Sequence, residues 1–179
     1  MSAGSSLNGL PEYIDVLSLA QASTSLVGKL KLARMSRLTE NLHNTQGDVA
    51  FKLRFKQDLK GACSIEGEVQ ATLFLICQRC IKPMQFEVGD SFTLVAIQSE
   101  DMAEKLPDHV EPVLLPENGR LLLSDVIEDE LILQLPIIAK HTESDCSVKI
   151  ATLASDLIDP EAKPSKQKAF AVLTALKKK

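Results

Sequence analysis

Residues 51–76, "FKLRFKQDLKGACSIEGEVQATLFLI", decide how this chain is read. Phe51, Leu53 and Phe55 alternate with Lys52, Arg54 and Lys56, and beyond the glycine Ile65, Val69, Ala71, Leu73 and Leu75 alternate with Glu66, Glu68, Gln70 and Thr72. A period of two sends successive side chains to opposite faces of a strand, so each run has one apolar and one polar face. Two such runs about Gly61 predict a hairpin. Turning at Lys60-Gly61-Ala62, it sets Leu59 opposite Cys63, Lys56 opposite Glu66, Arg54 opposite Glu68 and Lys52 opposite Gln70.

Outward from the hairpin, "SLVGKLKLAR" places Leu30 and Leu32 on one face and Lys29 and Lys31 on the other, another strand. Before it, "EYIDVLSLAQAS" is an extended lead-in and a short helix; after it, Ser36 caps a short helix over "SRLTENL" until "HNTQGD" breaks the pattern. "MQFEVGDSFTLVAI" supplies one or two further strands, and "EPVLLPENG" is a strand with a Pro/Asn/Gly stop. In "LLLSDVIEDELILQL", Leu123, Val126, Ile127, Leu131 and Leu135 recur at helical spacing, with Glu128, Asp129, Glu130 and Gln134 facing away, and Pro136 ends the helix. The expected fold is α+β: an antiparallel meandering sheet or partial barrel with one long amphipathic helix packed on it, and short helices near the N-terminus and C-terminus. Residues 11–150 form the domain, 151–167 a linker with Pro160 and Pro164, and 168–179 a short amphipathic segment with Phe170, Leu173 and Leu176 on one stripe.

The 179 residues are 45% hydrophobic and 25% charged, the balance of an ordinary globular chain. Aromatic content of 4% disfavours a ladder of base-stacking rings. The start, "MSAGSSLNGLPEY", lacks the basic-then-apolar layout of a signal peptide, and no apolar run approaches the roughly 18 residues of a membrane span. A cytoplasmic protein with reduced cysteines and no membrane partner is expected. Net charge is −4 but segregated: +3 over residues 1–60, −3 over 61–100, −7 over 101–135 and +3 over the remainder. Basic ends suit RNA and an acidic centre suits a basic protein; a plain solvated surface has the same look.

Cys77 and Cys80 form a C-x2-C pair, and His141 with Cys146 lies downstream. Together they offer the four soft or borderline ligands of a structural zinc site, while a strand–strand turn holding no ion fits the same residues. Both readings stand. Cys63 shares the face of Ile65 and Val69 and is read as a buried free thiol. A redox C-x-x-C needs a helix N-terminus in a βαβ unit, and this one follows a long strand. The stripes Lys29 and Lys31, and Lys52, Arg54 and Lys56, could hold RNA phosphates or pair with glutamates across the hairpin. On the second reading Lys52 is the least neutralised.

"CQRCIKP" after an alternating strand, "VIEDELILQLP", His141 with Cys146, and the terminal "FAVLTALK" occur in an order that resembles the bacterial YceD family, the large ribosomal RNA subunit accumulation proteins. The resemblance includes the early "LVGKLKLARMSRL" and nearly the whole chain. It implies a non-enzymatic factor needed for 23S rRNA to accumulate, and hence for large-subunit assembly. It carries onto Cys77, Cys80, Glu128, Asp129, Glu130, Pro136, His141, Cys146 and Phe170 to Lys177.

Two functions are therefore expected to compete. One is a biogenesis factor that binds pre-rRNA or assembling large-subunit particles. The other is an adaptor for a ribosomal protein or assembly factor, docking through its acidic helix or through Phe170, Leu173, Leu176 and Lys177, with only an indirect effect on RNA. An enzyme with a small-molecule substrate is disfavoured, since the chain has no glycine-rich phosphate loop, no H-E-x-x-H and no nucleophile beside a base. Zinc is the one cofactor expected.

Overall fold

The computed structural model describes residues 9–107 and 110–148. The chain divides into two compact units, Met1–His141 and Thr142–Lys179. The first is α+β. Its five-stranded sheet comprises β2 (Ser25–Lys31), β3 (Asp48–Gln57), β4 (Cys63–Ile76), β5 (Pro83–Ile97) and β6 (Glu111–Leu114), in that spatial order. A second, two-stranded sheet pairs β1 (Tyr13–Asp15) with β7 (Arg120–Leu122). Helices α1 (Val16–Gln21), α2 (Ser36–Thr39) and α3 (Leu123–Leu133) complete it.

The hairpin forms, with a register two residues from the expected one. Gln57 faces Cys63, Arg54 faces Glu66 and Lys52 faces Glu68. The turn is longer because Asp58 organises it. Its carboxylate accepts the N–H groups of Lys60 and Ala62, each at 2.8 Å, and its own N–H donates to Ala62 O. Gly61 supplies the left-handed residue at φ +89°. A shift of two preserves which face each side chain takes, so the core is unaffected. Val49, Phe51, Leu53 and Phe55 of β3 and Cys63, Ile65, Val69, Ala71 and Leu73 of β4 are all buried.

Two expectations are corrected. The sheet is not a pure meander, because β6 runs parallel to β5, pairing Leu94 with Glu111 and Ile97 with Leu114. A parallel neighbour needs a crossover, and the link between them contains a 3-10 turn, Glu100–Lys105. The helical run at 121–135 also begins later, since Leu121 and Leu122 belong to β7 and Leu123 N–H donates to Glu12 O. Leu123, Val126, Ile127 and Leu131 of α3 join the same core as the sheet, with Val16 and Ala20 of α1 and Leu38 of α2.

Of the second unit, residues 142–148 are described. They form a tight turn in which Thr142 Oγ1 donates to Asp145 and Cys146 N–H donates to Thr142 O. The expected linker and terminal segment lie outside the described residues.

Candidate functional site

The loop between β4 and β5 carries "CQRC". Ile81 N–H donates to Cys77 O at 2.8 Å, and Cys77 N–H to Lys82 O at 2.9 Å. Ile81 sits at φ +57°, a left-handed position that lets the chain double back within five residues. The fold of this knuckle turns both thiols of the pair toward the segment after α3. Gln78 N–H donates to Ala139 O at 2.8 Å, and Arg79 donates to His141 O at 3.1 Å, which fixes that segment on the loop.

His141 thereby meets both cysteines. Its backbone N–H points at Cys77 Sγ at 3.4 Å, and its ring Nδ1 lies 3.3 Å from Cys80 Sγ. The other ring nitrogen, Nε2, is 3.1 Å from the Pro83 carbonyl, which can only accept. That contact places the proton on Nε2 and leaves the Nδ1 lone pair on the thiol side, the tautomer a metal ligand needs. Cys77 is fully buried, which opposes charge on its thiol. Hydrogen bonds from His141, Cys80 and Arg79 overcome that and hold its pKa down at about 5. The same sulfurs raise the pKa of His141, because a neighbouring thiolate favours a second proton on the ring at Nδ1, the proton that a metal there would displace. The trio is thus arranged to stabilise thiolate, the form that binds metal.

Cys146 belongs to the second unit, where its side chain is buried. Only five peptide links separate it from His141, a reach of roughly 17 Å at full extension. The donor chemistry of Cys77, Cys80 and His141 in the first unit suits a structural zinc ion, and Cys146 of the second unit offers a further thiol of the same kind. Cys63 lies apart in the core, with its thiol pKa raised by burial.

The basic residues share the outer face of the sheet. Lys56 pairs with Glu66 at 2.5 Å, Arg54 with Glu68 at 3.4 Å and Lys31 with Asp48 at 2.8 Å. The first two pairs are the expected partners, met diagonally because of the register. Lys29 and Lys52 have no ion pair among the described residues. Phe170, Leu173, Leu176 and Lys177 lie outside the described residues.

The largest correction concerns α3. Glu128 and Glu130, expected on the solvated side, are 3% and 5% exposed. Glu128 accepts Leu38 N–H at 2.9 Å and Arg37 at 3.3 Å, while Asp129 takes the other guanidinium nitrogen of Arg37. Glu130 faces a cavity. Helical spacing carried the signal for it: Glu130 lies four residues after Val126 and three after Ile127, on their own stripe.

Sheet, helices and knuckle define an α+β protein with a Cys/His loop at one hairpin tip. The chain belongs to the YceD family: the family described as "Large ribosomal RNA subunit accumulation protein YceD" matches residues 65–177. A Haemophilus influenzae protein of that same name is 33% identical over 170 residues, covering 95% of this chain and 97% of the relative. No solved structure matches the chain. Among the described residues no helix is long and apolar enough to cross a membrane.

Proposed function

We propose that the protein is a non-enzymatic, cytoplasmic factor for large ribosomal subunit biogenesis, which supports synthesis, processing or accumulation of 23S rRNA by binding pre-rRNA or assembling large-subunit particles. The observation that carries this is the family match, with a relative of that name aligned along almost the whole chain. In this reading Cys77, Cys80, His141 and Cys146 hold a zinc ion that ties the β4–β5 hairpin tip to the segment after α3. The role of the ion is structural, and a four-ligand protein set leaves it no open position for a substrate.

The state of the basic face favours a composite grip. Lys31, Arg54 and Lys56 are already neutralised, so Lys29 and Lys52 are the charges left for phosphate. Two phosphate contacts give weak, salt-sensitive binding. In this reading a protein surface on the assembling particle adds to the affinity of this face, which brings the adaptor reading inside the first.

Gradient sedimentation of lysate from growing cells, with detection of the protein and mass spectrometry of its co-migrating species, tests the proposal. Co-migration with large-subunit precursors is expected. A profile of free protein alone would overturn it.

A further inference from the structure

Between β6, β7 and α3 lies a cavity of about 650 Å³. Its walls include Leu94, Val113, Leu121 and Val126, and its charged lining is Glu111, Asp125, Asp129 and Glu130 against one cation, Arg120. Arg120 stands opposite Asp15 across the small sheet and acts electrostatically on it, and Asp129 is paired with Arg37. Glu130 is different. It is 5% exposed and has no hydrogen bond or ion pair among the described residues; the charges that act on it, those of Glu111, Asp129 and Asp90, are acidic, and the cations lining its two cavities, Arg120 and Arg54, make no ion pair with it. It also lines the adjoining cavity with Asp90, Glu111, Gln134, Glu66 and Glu68, whose one cation, Arg54, is paired with Glu68. Asp90 itself accepts only from the neutral amide of Gln134, at 2.6 Å.

The Glu130 side chain is nearly buried while its carboxylate oxygens reach the cavity's solvent; held among like charges it raises the free energy of the unliganded fold, and a cation in the cavity lowers that cost. The ligand's chemistry follows from the rest of the lining. Nucleic acid is excluded by sign. A divalent metal needs several oxygens converging on one point, and among the described residues no group of three or more carboxylates converges in that way. Spread carboxylates along apolar walls suit instead a Lys or Arg side chain, whose aliphatic stem packs on leucine and valine while its head meets acid. At the mouth, Leu114 and Leu133 are 46% and 69% exposed, an apolar rim for residues flanking that side chain. Pro112 on the edge strand blunts strand addition, so side chains carry the recognition.

We infer that this cavity is a docking site for a basic segment of a protein partner, in which a Lys or Arg flanked by apolar residues enters between β6 and α3 to pair with Glu130 and Glu111. This rests on the functional reading above and gives it a partner class: a cationic protein of the assembling particle.

The full-length protein is titrated into a fluorescein-labelled peptide of alternating leucine and lysine, and its anisotropy is followed at physiological salt, with a leucine–glutamate peptide and spermine as competitors. Binding of the basic peptide is expected, with at least tenfold loss in Glu130→Gln and no change in Glu87→Gln, an exposed residue of β5 that lines neither cavity. Unchanged affinity in Glu130→Gln, at an unchanged melting temperature, overturns the inference. So does displacement by spermine as effective as by unlabelled peptide, which would make the site one for small polyamines. Should the Gln variant unfold, chemical-shift mapping of the wild type decides: shifts confined to residues outside 90–94, 111–116 and 120–134 overturn it equally. Peptide failure with co-sedimentation intact sinks this inference alone, whereas loss of co-sedimentation in the wild type sinks the functional reading.

Discussion

Glu128 Oε1 accepts the backbone N–H of Leu38 at 2.9 Å, a bond that spans 90 residues of sequence. The four-residue helix α2 has no side-chain cap of its own, so its third N–H is satisfied from α3. Arg37, next to Leu38, closes the clamp by bridging Glu128 and Asp129. Two adjacent acids therefore share the clamp: buried Glu128 holds the Leu38 N–H and one guanidinium nitrogen, and exposed Asp129 holds the other.

Glu128→Ala leaves a buried N–H without an acceptor and is expected to cost about 1–3 kcal/mol. Glu128→Gln keeps an acceptor oxygen and should cost less. Urea denaturation of both variants measures it; equal stability of the Ala variant and the wild type would remove the clamp from the account.

How far the chain could be read from sequence follows from range. The hairpin core was legible because alternation is a local property and a burial face has to be continuous. Its register was not, since the turn depended on the Asp58 carboxylate, and a shift of two leaves the pattern unchanged. The parallel placement of β6 depends on a crossover that no local period encodes. The candidate ligands Cys77, Cys80 and His141 were legible as residue types, yet bringing His141 to the cysteines required the bond from Gln78 to Ala139, and its tautomer required the Pro83 carbonyl. The charge of Glu128 and Glu130 points to solvent, whereas their helical spacing from Val126, Ile127 and Leu131 puts them on the buried side, and on α3 the spacing prevails.

Glu130 predicts a pH dependence. Burial first, and then the negative charge of Glu111, Asp129 and Asp90, raises its pKa from 4.5 to about 7. The folded state thus binds the proton more tightly than the unfolded chain. Stability should be greatest below about 4.5 as far as this group is concerned, decline as pH rises toward about 7, and level off above. Glu130→Gln should flatten that decline and add roughly 1 kcal/mol at pH 8, a figure reduced for solvent screening. Melting curves across this range read the difference, and identical slopes for variant and wild type would count against a cavity-facing Glu130.

The outer face predicts an asymmetry among lysines. If it touches RNA, reversing Lys29 and Lys52 to Glu should lower the slope of log affinity against log salt by about 2, because two free charges are lost. Lys56→Gln should change it little, since Lys56 is engaged by Glu66. Filter binding to a large-subunit rRNA fragment at several salt concentrations distinguishes them, and equal effects would mean that the ion pairs do not govern the face.

The Cys/His group gives the prediction with the sharpest readout. Untagged protein is expected to carry about one zinc per chain, and a chelator should lower its melting temperature, because the ion stabilises the fold in proportion to its preference for it. Cys80→Ser and His141→Ala should each lose the metal, the first by replacing a thiolate with a poor ligand and the second by emptying the position beside Cys80. Pro83 contributes only its carbonyl, so Pro83→Ala should retain the ion. Cys63→Ser is the control, since its thiol is buried among Phe55, Ile65 and their neighbours in the core cluster. Metal analysis of the five proteins separates the two readings of the knuckle. Well below half an ion per chain in the wild type, with a melting curve indifferent to chelator, leaves Cys77 and Cys80 as residues of a tight turn. Loss of metal in Cys80→Ser and His141→Ala, with full retention in Cys63→Ser, assigns them to a zinc site.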